Sequence, residues 1–206
     1  MTWRKRLLDL TLSLVLAVFL LPILALLCLG LLFVEGRPVF YVAERMTTPT
    51  RAFGLVKLRT MRPDKTDHGV RAGVTGGNKM DRMSQIHRLL RRTRADEIPQ
   101  LWNVIKGDMS LVGPRPPLRV YVESFPEIYD RVLLSRPGVT GLASLRFHAH
   151  EERMLAACQT AEETDAVYRR RCVPRKAQLD LMYQAKRNVC FDMMLIWETA
   201  KKPFSR

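Results

Sequence analysis

The sequence predicts a mainly helical protein with a small β-hairpin behind an N-terminal membrane segment. Residues 10–34 carry no charge and, at about 1.5 Å per helical residue, are long enough to cross a bilayer core of about 30 Å. Two runs rich in strand-forming residues, 39–42 and 53–60, predict the hairpin. Farther along the chain, apolar residues recur at helical spacing. This pattern predicts helices at residues 81–92, 121–134, 151–171 and 173–200.

The membrane segment has two open interpretations, a spanning helix and a re-entrant segment that returns to its side of entry. Pro22 lies at the centre and predicts a kink, although membrane helices tolerate proline. Basic residues flank both ends, among them Arg4, Arg37 and Arg45, and such residues favour the cytoplasmic face. The residues alone favour neither interpretation over the other. A signal peptide is disfavoured because the apolar run is too long and residues 34–38 do not resemble a cleavage site.

The chain is strongly basic, with 34 Lys and Arg against 20 Asp and Glu in 206 residues and a net charge of +14. This balance implies an anionic partner, which could be nucleic acid, lipid head groups or a phosphorylated small molecule. The membrane segment favours the last two, and no nucleic-acid-reading motif is present. The four cysteines have no metal-ligand spacing and are interpreted as reduced structural thiols.

Residues 93–107, TRADEIPQLWNVIKG, predict an amphipathic helix that begins with two adjacent carboxylates. Pro99 must lie in the first turn, where its missing N–H costs nothing, and this puts Asp96 at or near the N-cap with Glu97 beside it. Helix capping is favoured on spacing alone, since Asp caps helices well. The alternative is that the helix dipole holds Asp96 ionised for use as a nucleophile or a Mg²⁺ ligand.

Three cations are candidates for holding phosphate. Lys57 and Arg59 point to one face of the second predicted strand, although a solvated, charge-protected edge is favoured on spacing alone. Arg115 lies between prolines, so fixing its guanidinium on a phosphate costs little entropy; a solvated arginine in a polyproline-type turn is the alternative. The glycine-rich residues 64–79 lack the ending of a P-loop and are predicted to form a mobile loop.

The motifs VKLRTM, RADEIPQLWNVIKGDMSLVGPRP, RPGVTGLA and LDLMY follow the apolar run in that order. They closely resemble the bacterial sugar transferases, the small monotopic phosphoglycosyl transferases, over residues 4–142 and again near Leu179. The resemblance implies a mainly helical fold with a small hairpin, a re-entrant helix-break-helix kinked at Pro22, and helices lying on the cytoplasmic face of the bacterial inner membrane. The implied domains are a re-entrant membrane helix, residues 1–36, and a catalytic domain, residues 37–206.

The family moves a phosphosugar from a UDP-sugar to a polyprenyl phosphate such as undecaprenyl phosphate and releases UMP, which begins the assembly of a surface glycan. The resemblance implies that Asp96 is the nucleophile of a covalent aspartyl-phosphosugar and that Glu97 takes part in Mg²⁺ binding or proton handling. Lys57, Arg59 and Arg115 match the family's cations and are expected to hold phosphates. Membrane lipids and a second copy of the chain are further expected partners.

Arg136 and Asp192 are further candidates for the site, although Asp192 stands one residue farther along than the family pattern places it. The segment from His148 to Arg171 is additional to that pattern, so it could contribute to recognition of the sugar. Its HxH pair, His148 and His150, has no further ligand cluster in the sequence, which disfavours a metal site there. A serine common before the membrane proline in the family is Leu21 in this chain.

Two other functions are weighed against the transferase. A non-catalytic membrane adaptor with a basic face explains the charge and the anchor, but it leaves the Asp-Glu pair beside GPRP unexplained. A nucleic-acid binder lacks a reading motif, and the membrane segment argues against it.

Overall fold

The structure, a computed structural model, describes residues 2–61 and 83–201. The helices are α1 (Trp3–Glu35), α2 (Gln85–Thr93), α3 (Gln100–Lys106), α4 (Arg119–Ser124), α5 (Pro126–Val132), α6 (Leu142–Arg146), α7 (His148–Ala156), α8 (Ala161–Val167), α9 (Val173–Lys186) and α10 (Val189–Lys201). The strands are β1 (Phe40–Met46), β2 (Ala52–Leu58), β3 (Ser110–Val112) and β4 (Gly138–Thr140). The mainly helical fold with a small hairpin is confirmed. The loop predicted at residues 64–79 and the start of the helix predicted at 81–92 lie outside the described residues.

The hairpin pairs β1 with β2 in antiparallel register, from Phe40 opposite Leu58 to Met46 opposite Ala52. It packs with α3, β3 and the C-terminal helices around the main core. The fully and largely buried side chains of this core are Phe53, Leu55, Val104, Met109, Leu111, Val112, Tyr183 and Leu195. The core therefore joins elements from all along the chain.

Helix α1 is long and apolar enough to cross a membrane by its length and composition. It stays helical through Pro22, so the expected helix-break-helix is not seen as an interruption of the helix. Its central apolar side chains are turned outward: Val18 is 70% and Leu26 71% exposed. This surface has no protein to cover it among the described residues and is the part of the molecule suited to lipid.

The first turns of α1 are docked on the folded domain formed by the rest of the described chain. The Arg6 guanidinium donates to the carbonyl oxygens of Val104 and Ile105, at 2.6 and 2.7 Å. The fully buried Asp9 carboxylate accepts a 2.8 Å hydrogen bond from the Ser110 hydroxyl. Arg6 thus binds carbonyl groups in the last turn of α3, where the helix dipole favours a cation.

The end of α1 is docked on the same part of the chain. Leu31 is 2% exposed and packs with Leu58 of β2 and Leu90 of α2. The Arg59 guanidinium donates to the carbonyl oxygens of Glu35 and Gly36, at 2.9 and 3.0 Å. Both ends of the apolar helix are thus held by one folded unit.

β3 and β4 pair in parallel and bring the GPRP and RPGVTGLA motifs together. A Cβ atom on Gly138 or Gly141 would overlap the backbone of Gly113, and a Cβ atom on Gly113 would overlap the backbone around residue 136. Only glycine allows backbones to approach this closely. The crossing fixes the chain two residues before Arg115.

Three of the predicted helices are each divided in two. The prediction of one helix at residues 151–171 is wrong, because α7 ends at Ala156 and α8 starts after Thr160, whose hydroxyl accepts from the backbone N–H of Glu163. Residues 168–172 then continue as a π-helical turn into α9. Residues 121–134 and 173–200 are likewise divided, at Phe125 and at residues 187–188.

Candidate active site

Asp96 and Glu97 lie in a single 3₁₀ turn, Ala95–Glu97, between α2 and α3. Arg94 ends α2 in the left-handed conformation at a φ of 56°, which redirects the chain into this turn. The N-cap of α3 is Pro99, so the prediction that Asp96 lies at or near the N-cap is wrong. Both carboxylates are available for interactions other than capping.

Glu97 is held by three cations. Its Oε1 lies 2.8 Å from Arg115 Nη2 and 3.1 Å from Lys57 Nζ, and its Oε2 lies 3.5 Å from Arg94 Nη1. Burial opposes ionisation of this carboxyl group, but the charges of Arg115 and Lys57 prevail and hold the pKa of Glu97 well below its ordinary value. Glu97 is therefore a permanent anion that fixes the cations around it.

Asp96 differs from Glu97 in that no cation among the described residues is paired with it. It is 8% exposed, and its carboxylate forms no hydrogen bond or ion pair with the residues that the structure describes. Burial and the adjacent Glu97 charge raise the pKa of Asp96, although Lys57, Arg91 and Arg115 act in the other direction. A buried carboxylate that is not consumed by a partner, in a field of cations, is suited to nucleophilic attack on an anionic substrate.

Lys57 and Arg115 reach the carboxylate pair from opposite parts of the sequence. Lys57 comes from β2, and its side chain is 18% exposed, so the interpretation as a solvated edge is wrong. Burial and the nearby Arg115 charge lower the pKa of Lys57. The structure therefore brings together Lys57, Asp96, Glu97 and Arg115, four of the residues that the sequence singled out.

Arg59 is placed elsewhere. β2 ends at Leu58, and the Arg59 guanidinium binds the end of α1 instead of Glu97. Its contact with substrate phosphate stays a prediction.

Arg136 and Asp192 lie in a second polar region at the start of α1. Lys5 Nζ lies 2.8 Å from Asp192 Oδ2 and 3.2 Å from Asp9 Oδ1, and Tyr183 donates its hydroxyl to Asp192 at 2.7 Å. Arg136 and Asp192 line a cavity of about 220 Å³ there. The described contacts do not connect this region to the Asp96 carboxylate.

A larger cleft of about 680 Å³ has Arg94 and Arg115 among its lining residues. Tyr168, Lys176 and Asp180, from the π-helical turn and α9, line it as well. Sequence reasoning assigned no role to these three residues or to Arg94. The motif LDLMY could have drawn attention to Asp180, and the i, i+3 spacing of Arg94 and Glu97 was a readable signal.

A magnesium ion fits this donor set in one way. Within residues 2–61 and 83–201, no group of three or more His, Cys, Asp or Glu side chains could hold a metal ion, and this includes the HxH pair. Mg²⁺ is commonly bound by one or two carboxylates together with substrate phosphates and water. Asp96, which has no cationic partner among the described residues, and the adjacent Glu97 fit such a shared site.

An apolar helix held at both ends by a small helical domain, with a carboxylate pair in a cationic cleft, defines a membrane-associated class of protein. The family model of bacterial sugar transferases matches residues 1–206, and the chain belongs to that family.

Curated relatives carry related names. The chain is 37% identical to a UDP-glucose:undecaprenyl-phosphate glucose-1-phosphate transferase of Caulobacter vibrioides, over 69% of this chain and 54% of that protein. It is 31% identical to an undecaprenyl-phosphate glucose phosphotransferase of Komagataeibacter xylinus, over 98% of this chain and 36% of that protein. It is 35% identical to a UDP-N-acetylgalactosamine-undecaprenyl-phosphate N-acetylgalactosaminephosphotransferase of Aeromonas hydrophila, over 52% of this chain and 26% of that protein. The chain thus spans about half of these relatives or less.

Proposed function

We propose that this protein is a phosphoglycosyl transferase that moves a sugar phosphate from a UDP-sugar to undecaprenyl phosphate and releases UMP. The observation that carries the proposal is the buried Asp96 carboxylate, without a partner among the described residues, beside Lys57 and Arg115. The names of the relatives support the donor and acceptor classes.

The proposed reaction has two displacements at one phosphorus atom. A carboxylate oxygen of Asp96 attacks the phosphorus that carries the sugar, the bond from that phosphorus to the bridging oxygen breaks, and UMP leaves with the electron pair. A phosphate oxygen of undecaprenyl phosphate then attacks the same phosphorus, and Asp96 leaves as a carboxylate. Lys57 and Arg115 stabilise the charge that develops on the transferred group.

Glu97 acts in this proposal by holding cations. Its pKa lies well below the ordinary value, so it is a poor base at neutral pH, and proton handling is the less suitable of its two expected roles. A Mg²⁺ ion bound by Asp96 and Glu97 together with the diphosphate would neutralise charge on the leaving UMP.

We further propose that α1 is re-entrant and that the domain lies on the cytoplasmic face of the inner membrane. The two ends of α1 contact one folded unit while its central apolar side chains are exposed, which suits a segment that enters lipid and returns. The exposed Trp102 on α3 and Trp197 on α10, at 61% and 62%, suit a domain resting on the lipid interface.

Labelling tests the topology. Arg4→Cys and Arg45→Cys, each in a chain whose native cysteines are replaced, should both resist a membrane-impermeant maleimide in intact cells and react after permeabilisation. Reaction of only one of them in intact cells would show a spanning helix.

The function is tested with the native chain in nanodiscs that contain undecaprenyl phosphate and Mg²⁺. UDP-sugars are supplied singly, and both UMP and the lipid-linked sugar are measured. We expect the two products to form in equal amounts for at least one donor. Binding of anionic lipid without turnover of any donor would instead support the membrane adaptor.

A further inference from the structure

The additional segment from His148 to Arg171 is built into the domain as a wall of the large cleft. Tyr121 of α4 donates its hydroxyl to Asp165 at 2.7 Å, and its ring lies 4.9 Å from the ring of Tyr168. Arg169 donates to the Ser124 hydroxyl at 2.8 Å. These contacts fix the segment to α4, so its side chains have defined positions over the cleft.

The cleft that this wall encloses opens onto the proposed active site. Arg94 and Arg115 both line it, and both bind Glu97. Its volume of about 680 Å³ lies within the range of about 300–1,000 Å³ found for small-molecule sites. A ligand whose phosphate contacts Arg115 would therefore extend along this wall.

The lining of the cleft also presents polar groups in a buried setting. Lys176 Nζ lies 3.0 Å from Glu151 Oε1 and 3.3 Å from the Tyr168 hydroxyl, and the Lys176 and Glu151 side chains are each 15% exposed. This set holds two acceptor groups, a carboxylate and a phenol, in fixed positions.

Asp180 is the unusual member of the wall. It is 8% exposed, and its Oδ1 atom is buried without a hydrogen-bond partner among the described residues. Burial raises the pKa of Asp180 to about 7, against the charge of Lys176. A buried acceptor without a donor is costly to the fold, and a bound ligand that supplies the donor would remove this cost.

We propose that Glu151, Tyr168, Lys176 and Asp180 bind the hydroxyl groups of the donor's sugar and determine which UDP-sugar is used. The inference rests on the proposed function, because it places the sugar next to the phosphate held by Arg115. Sugar hydroxyl groups can donate to the two carboxylates and accept from the ammonium group of Lys176. We therefore assign this set to the sugar of the donor and not to its nucleobase. Glu151 and Tyr168 lie in the segment that is additional to the family pattern, so the proposal makes that segment part of the specificity site.

The test uses three donors whose sugars occur in the names of relatives: UDP-glucose, UDP-galactose and UDP-N-acetylgalactosamine. Asp180→Asn and Glu151→Gln keep the side-chain shapes and remove one charge each. The ratio of kcat/KM values between donors is expected to change by about tenfold or more, while inhibition by UMP changes less than twofold. Asp130→Asn, an exposed acid of α5 outside the cleft lining, is the matched control and should change neither quantity.

The other outcomes are distinct. Weaker UMP inhibition with unchanged donor ratios would place the nucleoside at this wall and overturn the proposal. An equal loss for all donors, or a lower melting temperature alone, would show a structural role and overturn it as well. Turnover by the native chain with unchanged ratios refutes only this inference, whereas no turnover of any UDP-sugar by the native chain refutes the proposed function beneath it.

Discussion

Two polar regions of this protein use the same residue types in different ways. At the start of α1, Lys5 binds both Asp9 and Asp192, and neutral donors occupy further positions on these carboxylates. In the cleft, three cations converge on Glu97 while Asp96 has no partner among the described residues. The first region satisfies its own charges and holds the fold together, whereas the second leaves a buried acid ready for a substrate.

The largest expected effect comes from Asp96→Asn, which removes the reactive carboxylate. Exchange of labelled UMP into a UDP-sugar, measured without lipid acceptor, should fall by at least about 10³-fold. The melting temperature should stay the same or rise, because the change removes a buried charge whose pKa is raised by burial and by Glu97. Exchange that survives in this variant would reject Asp96 as the nucleophile.

Lys5→Met tests the region that satisfies its own charges. The change leaves Asp9 and Asp192 buried without their shared cation, and we expect a loss of about 3–5 kcal/mol in the free energy of unfolding. Arg119→Met, which breaks an ion pair with Glu44 whose two side chains are both exposed, should cost at most about 1 kcal/mol. Thermal unfolding in nanodiscs compares the two.

Lys5→Met should leave the turnover of each folded molecule within about twofold of the native rate, since the described contacts do not join Lys5 to the cleft. A large loss of turnover with unchanged stability would mean that the start of α1 takes part in catalysis, and the contrast between the regions would fail.

Arg115→Lys should lower kcat/KM by about 10- to 100-fold. Arginine can bind Glu97 and a phosphate through different N–H groups. Lysine carries a single compact charge on a side chain of different length, so it cannot make both contacts in the same way. Arg119→Lys is the matched control, because Arg119 makes a surface ion pair with Glu44. A similar loss in both variants would deny Arg115 a specific role.

The smallest expected effect is on pH dependence, and the two neighbouring acids should differ in sign. Asp96 has a raised pKa, so the stability it contributes is full below its ordinary value of 3.8 and is lost as pH rises through the raised value. Glu97 has a lowered pKa, so its contribution is present above 4.5 and is lost as pH falls toward the lowered value.

The rate of UMP exchange should rise with pH as Asp96 ionises. Melting temperatures should fall more on raising pH in the native chain than in Asp96→Asn, because the raised pKa of Asp180 contributes the same loss to both proteins. Identical profiles for the two proteins would mean that the Asp96 pKa is not raised.

Much of the fold could be predicted from local patterns. The hairpin, α1 and the helix that follows the Asp-Glu pair each follow from short-range periodicity or strand-forming composition. The division at residues 157–160 was also readable, because Thr160 stands three residues before Glu163 in the capping pattern at a helix start.

The site was less accessible to sequence reasoning, because its contacts join distant residues. Spacing alone favoured a capping role for Asp96 and a solvated Lys57, since nothing local shows that Lys57 meets Glu97 across the fold. Arg59 shows the same limit. Strand alternation placed it beside Lys57, but the unpaired carbonyl groups at the end of α1 are its partners.

The close crossing at Gly113 bears on how the protein is made. Arg115 gains its fixed position only when Gly138 and Gly141 have been synthesised and have packed against Gly113. Helix α1 leaves the ribosome long before that point and can enter lipid first. A growing chain can therefore be anchored before Arg115 is fixed beside Glu97.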